Sequence, residues 1–335
     1  MKSGTILLSH GAGGKLSHRL IQDVFLKAFR NPFLEPLNDQ AVFPSPGKRL
    51  AFTTDSYVVS PIFFPGGDIG KLSVCGTIND LAVGGATPLY MSASFIIEEG
   101  LALEELTKVV ESMANTALSA GVKIVTGDTK VVEKGKADRL FINTAGVGVI
   151  PDGVQVGPSF MEPGDAVIIS GTVGDHGVSV MRERGMIALD VDVVSDCAPL
   201  HELASAVIST GFVKAMRDPT RGGLITTLNE LALSSGHGIL VKEEKIPVKE
   251  EVRGVCEILG FDPMYLANEG KMICIAGKGG AEDVLKAMRK NPLGRDAEII
   301  GEVIGERSGK VLLETSLGTR RIMEMLSGEQ LPRIC

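Results

Sequence analysis

Tryptophan is absent from this chain of 335 residues, and aromatic residues of every kind make up only 4% of it. Aliphatic side chains must therefore build the core, and an apolar share of 44% is ample for that. Basic residues do not exceed acidic ones. The formal net charge is −7, and with no offsetting basic stripe a nucleic-acid-binding role is disfavoured. No apolar run approaches the roughly 20 residues needed to span a bilayer. Residues Met1–His10 hold one lysine and an apolar patch too short for a secretory signal. The five cysteines (Cys75, Cys197, Cys256, Cys274 and Cys335) are odd in number and show no CxxC spacing. That argues against a disulfide framework or zinc site and points to a reducing cytoplasm.

Glycine, by contrast, is plentiful at 41 residues and falls in short clusters without a period. Such clusters suit tight turns and close approach of backbone to a ligand. The length admits two domains. An amphipathic stretch follows HGAGGK (His10–Lys15), running from Leu16 to Phe29, and Pro32 and Pro36 end it. Leu50–Thr54 and Tyr57–Ser60 read as strands interrupted by Asp55, and Lys71–Ala82 and Leu103–Ala120 as helices. Leu140–Ile150 is a β-rich run, and the loop-like Pro151–Pro163 holds the expected domain boundary. Beyond it, Ala166–Ser170, Met272–Ala276 and Ile299–Ile304 read as strands. Leu200–Ser209, Leu224–Leu233 and Ala281–Arg289 read as helices. Val311–Glu314 has strand character and Arg320–Leu326 reads as a short helix. The expected divisions are 1–36, an N-terminal segment; 37–150, an ATP-binding domain; 151–305, a second domain; and 306–335, a terminal segment with a mobile tail. Both halves mix strands and helices, so the fold class is α/β (α+β).

HGAGGK lacks the spacing of a P-loop and no strand–turn–helix unit surrounds it. Taken alone it is equally a flexible turn. Asp39 in LNDQA, Asp55 in TTDS, Asp80 in TINDLA, Asp128 in TGDTK and Asp218 in RDPTRGG sit among small residues. Carboxylates so placed suit Mg²⁺, which prefers hard oxygens and bridges to phosphates; an isolated one serves equally as an N-cap or Asx-turn. DPTRGG before a helix adds free N–H groups of the kind that bind phosphate.

The chain ends on Cys335. With five cysteines in 335 residues, chance places one there about once in seventy sequences. Gly328 and Pro332 keep the preceding residues from regular structure, so a thiol at the end of such a tail is suited to carrying a group. Gly328–Cys335, stretched out, reaches roughly 26 Å. Arg333 favours the thiolate while the terminal carboxylate opposes it.

HGAGGK, TTDS, TINDLAVGGATP, TGDTKVV, GDHG, DPTRGGL and ANEGK occur in the order seen in the HypE family of hydrogenase maturation proteins, and the terminal PRIC is specific to that family. The chain resembles this family over essentially its whole length. The wider superfamily includes aminoimidazole ribonucleotide synthetase, selenophosphate synthetase and thiamine-monophosphate kinase. The resemblance implies an N-terminal α+β domain whose sheet forms a homodimer, a C-terminal α/β domain and a flexible tail. It also implies an activity: a carbamoyl group, loaded onto Cys335 by the carbamoyltransferase HypF, is dehydrated with ATP and Mg²⁺ to a thiocyanate. The cyanide then passes to a HypC–HypD complex for the iron of [NiFe]-hydrogenase. Implied catalytic residues are Cys335, Glu269, Lys130 and Arg333. Implied ATP contacts are Lys15, Asp39, Thr54, Asn79, Gly127 and Asp128, and implied metal ligands are Asp55, Asp80 and Asp218. Lys130 reads equally as a phosphate contact, Glu269 as a salt-bridge partner, and His176 and His10 as structural residues. A superfamily synthetase or kinase acting on a free small molecule, or a non-catalytic docking scaffold, are the rival readings. Neither explains PRIC together with the carboxylate set.

Overall fold

The computed structural model describes residues 5–10, 15–35, 47, 49–186, 192–326, 331 and 333–335. Near the N-terminus α1 (Lys15–Leu20) continues through a π-helical turn (Ile21–Leu26) into α2 (Lys27–Phe29), burying Val24, Phe25 and Phe29. There follow β1 (Leu50–Tyr57), the small hairpin β2 (Phe63–Phe64) and β3 (Gly67–Asp68), and α3 (Ile69–Val83). Next come β4 (Thr87–Glu98), α4 (Leu103–Ser119), β5 (Lys123–Val132) and β6 (Leu140–Val149).

These strands form a four-stranded sheet in the order β1–β6–β4–β5. Only β4 and β5 run parallel, and α4 supplies the crossover that a parallel pair requires. Burial alternates along β1: Ala51, Thr53, Asp55 and Tyr57 turn inward, while Leu50, Phe52, Thr54 and Ser56 turn out. The expected break at Asp55 does not occur. Asp55 pairs with Thr144 inside an eight-residue ladder, and the ladder overrides the weak strand preference of one aspartate.

Helix α3 starts at Asp68, whose side chain accepts from the N–H groups of Gly70 and Lys71. All its residues are buried except Lys71 and Asp80. A helix apolar on nearly every side has to be covered on every side. The N-terminal sheet and α4 cover part of α3, and elements of the second half cover the rest.

That second half contains β7 (Ala166–Ile169), α5 (Asp175–Glu183), α6 (His201–Ile208), β8 (Val213–Arg217) and α7 (Gly223–Ser235). After them come β9 (Gly238–Lys242), α8 (Glu250–Leu259), β10 (Ile273–Ala276), α9 (Ala281–Lys290), β11 (Glu298–Ile304), β12 (Val311–Glu314) and β13 (Arg320–Met323). Its sheet runs β13–β12–β9–β11–β7–β10–β8. The helix expected at Arg320–Leu326 is instead strand β13. A turn closed by the Thr315 and Thr319 hydroxyls, 2.7 Å apart, folds it back onto β12, and the cross-strand ladder sets its conformation. In the GDHG motif, α5 already begins at Asp175.

Candidate active site

Three loops of the second domain converge on β1 and α3. The innermost is ANEGK, and its shape follows from how its backbone is satisfied. Asn268, fully buried, accepts from the Gly174 N–H (2.8 Å) and donates to the carbonyls of Pro219 and Leu266 (3.0 Å each). Each such bond is worth roughly 0.5–1.5 kcal/mol. Asp196 accepts from the N–H groups of Glu269 (3.1 Å) and Gly270 (3.2 Å). Only glycine fits at 270, since a Cβ there would lie 1.9 Å from the Asp196 carbonyl oxygen. The loop is thus held rigidly while the Glu269 side chain points into the protein, 3% exposed.

Asn79 fastens this loop region to the first domain. It donates to the carbonyls of Ala198 (3.2 Å) and Glu269 (3.3 Å) and accepts from the Leu200 N–H (2.7 Å). Its amide is engaged on both sides and 1% exposed, which makes Asn79 a strut between domains. One turn earlier on α3, the buried thiol of Cys75 hydrogen-bonds that of Cys197, raising the Cys197 pKa well above its ordinary value.

Carboxylates crowd this place. Glu269 has an oxygen, Oε1, with no hydrogen-bond partner, and its pKa is raised well above normal. Burial is the main cause, with Asp196, Asp218 and Asp55 adding repulsion. Loss of water and the neighbouring Asp80 push Asp218 up to about 7. Asp80 is raised by desolvation, although the Thr53 hydroxyl donates to it at 2.8 Å, and Asp55 repels it. Asp55, Asp80 and Asp218, from β1, α3 and the DPTRGG loop, therefore share one electrostatic site. Among the described residues no three such groups converge closely enough to chelate an ion unaided. They suit Mg²⁺, which keeps waters and phosphate oxygens and takes only a carboxylate or two from protein. Tyr57, two residues beyond Asp55 on the same face, is buried beside Thr77, in the field of Asp55 and Glu269.

The chain terminus lies in a cavity bordered by residues of the DPTRGG and ANEGK loops. Cys335 is half-buried and lines a cavity of about 230 Å³ with Val58, Arg221, Gly222, Leu266 and Ala267. Arg333 lines the same cavity as Cys335. Its guanidinium donates to the Val58 carbonyl (3.0 Å), pairs with Asp138 and lies 5.9 Å from the Phe141 ring centre, which makes it an anchor for the tail.

The remaining expected residues lie elsewhere. Asp128 pairs with Ser94 and Lys130 with Ile96, so both project from the outward face of the sheet, where they form a 3.0 Å ion pair. Thr54 is on that face too. The structure does not bring Lys130 to Glu269 within one chain, because alternation along β5 sends it to the opposite side of the sheet. Gly127 is small for a packing reason: a Cβ would sit 2.3 Å from the Ala93 carbonyl oxygen on β4. Lys15 opens α1 with its side chain outside the described residues, and Asp39 lies outside them altogether. Sequence reasoning missed Asp196, Tyr57 and Cys197. Only Tyr57 carried a signal, its two-residue offset from Asp55 along a strand.

The N-terminal domain model of the AIR synthase related proteins matches residues 37–150, and the C-terminal domain model matches 162–314. The two domains thus define an AIR synthase related protein. Carbamoyl dehydratase HypE of Rhizobium leguminosarum bv. viciae is 53% identical, covering 99% of this chain and 96% of that protein. A crystal structure of the hydrogenase maturation protein HypE in complex with ATP superposes with a TM-score of 0.95 at 49% identity, over 99% of this chain and 100% of that one. A HypE–HypF complex structure aligns with a TM-score of 0.81 at 49% identity, over 92% of this chain and 99% of that one. The chain belongs to the HypE family of carbamoyl dehydratases.

Proposed function

We propose that this enzyme uses ATP to dehydrate a carbamoyl group carried on its own Cys335, yielding a thiocyanate from which the hydrogenase iron receives cyanide. The observation that carries this reading is the position of Cys335, the last residue of the chain, in one cavity with the DPTRGG and ANEGK loops.

The amide oxygen of S-carbamoyl-Cys335 attacks the γ-phosphate and ADP leaves. Phosphate then departs with that oxygen as the nitrogen loses its protons, leaving Cys335–S–C≡N. Such phosphoryl transfer needs positioning and charge neutralisation more than covalent help. Asp55, Asp80 and Asp218 would hold Mg²⁺, whose charge offsets the phosphates and relieves the mutual repulsion of the three acids. Glu269, raised in pKa by burial and with an unpartnered oxygen, is the group suited to take a nitrogen proton.

A HypF-type carbamoyltransferase is the proposed donor, supported by the relative solved with HypF, and a HypC–HypD complex the acceptor. We also propose a homodimer joined through the outward sheet face. Phe52, Leu50 and Ile96 stand 71%, 54% and 45% exposed there, an apolar patch that pairing would cover. This face carries Thr54, Asp128 and Lys130, which pairing sets against the second copy. A cytoplasmic location fits the cysteine pattern, and no described helix is long and apolar enough to cross a membrane.

The deciding test is mass spectrometry of the C-terminal peptide after incubation with the carbamoyl donor, before and after ATP. The expected result is a gain of one carbamoyl mass followed by loss of one water. A carbamoylated peptide that never loses water, or a label on another cysteine, would overturn the reading.

A further inference from the structure

We infer that α5 and the segment after β1 form a latch that grips the tail by its main chain, with His176 and Arg184 as positioning residues. The inference rests on Cys335 being the carrier.

The carbonyls of the last three residues each receive a donor. Arg333 O accepts from the Ser60 N–H (3.2 Å) and Arg184 Nη2 (2.5 Å). Ile334 O lies 2.8 Å from His176 Nε2, and Cys335 O accepts from the Val58 N–H at 3.3 Å. His176 is fully buried in the second position of α5, with its ring edge-on to Phe64 at 5.3 Å. A carbonyl only accepts, so Nε2 carries the proton. Nδ1 then accepts from the Ser195 hydroxyl at 2.8 Å, and Ser195 Oγ itself accepts from the Cys197 N–H at 3.1 Å. This relay sets the tautomer, and burial keeps the ring neutral by lowering its pKa. Arg184, just past the end of α5, also donates to the Ser60 carbonyl at 2.6 Å, so one guanidinium joins the tail to the chain beyond β1.

Because the grip is on carbonyls, it fixes the direction in which Cys335 enters the cavity whatever group the sulfur carries. It also withholds the sulfur from any donor enzyme outside. The latch therefore acts oppositely on the two half-reactions, favouring dehydration and opposing loading. A change that merely weakened the fold would slow both.

The test measures Cys335 alkylation by iodoacetamide in the full chain without ATP, read on the C-terminal peptide, for wild type, His176→Ala, His176→Gln and Arg184→Leu. Severalfold to tenfold faster alkylation is expected in His176→Ala and Arg184→Leu, in line with loss of one or two hydrogen bonds. His176→Gln, whose amide donates to the same carbonyl, should return toward wild type. Single-turnover rates should split, with loading faster and dehydration of the preloaded tail slower. Arg184→Leu carries the test should a buried His176→Ala not fold. Unchanged alkylation in folded Arg184→Leu, or equal slowing of loading and dehydration, overturns the latch. Absence of water loss in the wild-type protein would instead defeat the dehydratase reading, while alkylation still reports on the latch.

Discussion

On one face of the N-terminal sheet, Thr53, Asp55 and Tyr57 look toward a cleft where four acids are held away from water. On the other, Thr54, Asp128 and Lys130 stand in the open among Leu50, Phe52 and Ile96. Neighbouring letters of one motif, TTDS, are divided between the two. The inward face concentrates electrostatic stress: Glu269, Asp218 and Asp80 are all raised in pKa. Outside, the charge is already settled, and Lys130 holds Asp128 below its ordinary value. Groups kept poised by burial suit chemistry, whereas an exposed ion pair beside apolar side chains suits a surface that another chain will cover.

The comparison breaks most decisively at Glu269. Glu269→Gln keeps the shape but cannot take a proton, so dehydration of preloaded Cys335 should slow by about 10²–10⁴-fold, the range for positioned acid–base groups. Loading should persist, and single-turnover mass spectrometry of the tail peptide reads both steps. Dehydration at the wild-type rate would show that another base serves.

Asp218→Asn comes next. Magnesium-dependent ATP affinity should fall by about tenfold or more by calorimetry, because a neutral amide replaces a carboxylate poorly beside a hard cation. Stability should change in the opposite sense. The folded protein holds the Asp218 proton up to about pH 7, while the unfolded chain releases it near 3.8, so ligand-free stability drops as pH rises through that window. The variant lacks this loss, and its melting temperature should exceed wild type by more at pH 8 than at pH 5. An unchanged affinity would remove Asp218 from the metal site.

The outward face yields a sharper test of Lys130. If pairing of two copies delivers Lys130 to the neighbour's cleft, mixed dimers of Lys130→Met and Glu269→Gln contain one intact site each. Either homodimer alone should be slow, and the mixture should regain a substantial part of wild-type dehydration. No recovery on mixing would place Lys130's contribution within its own chain or nowhere.

What could be read from sequence follows the same division. Helix α4 was legible because one-sided burial imposes a period that survives in the letters, and α3 and β12 because their buried runs are almost wholly apolar or small. β13 was not, since only its ladder to β12 makes Arg320–Met323 a strand. The acids at 55, 80 and 218 were legible because they sit in motifs among small residues, and Glu269 through the family resemblance. Their company was not: Asp196 and Cys197 come from a stretch without any pattern, and only the folded chain sets Asp196 under the Glu269 loop and Cys197 against Cys75. The fates of Arg333 and Lys130 were hidden for a simpler reason. A basic residue beside a motif has a charge but no direction until its strand or tail is placed.

The smallest effect separates the faces most cleanly, because it compares adjacent threonines. Valine matches threonine in shape and suits a strand at least as well, so each substitution removes little beyond a hydroxyl. Thr54 donates outward to the Thr144 carbonyl at 3.0 Å, where water can replace it, and Thr54→Val should change unfolding free energy by no more than about 0.5 kcal/mol. Thr53 donates to Asp80 at 2.8 Å, within a site already short of water. Losing a hydrogen bond to a charged acceptor costs roughly 1.5–3 kcal/mol, and part-exposure of both groups places Thr53→Val toward the lower end. The pH dependence gives the sign. Thr53 lowers the Asp80 pKa against the desolvation that raises it, so the contribution is whole above that pKa and fades as pH falls through it. Urea unfolding of both variants at neutral pH and at pH 4 decides the matter. Equal losses in the two, or a Thr53→Val deficit that does not shrink in acid, would mean that the inward face is no more charged in its demands than the outward one.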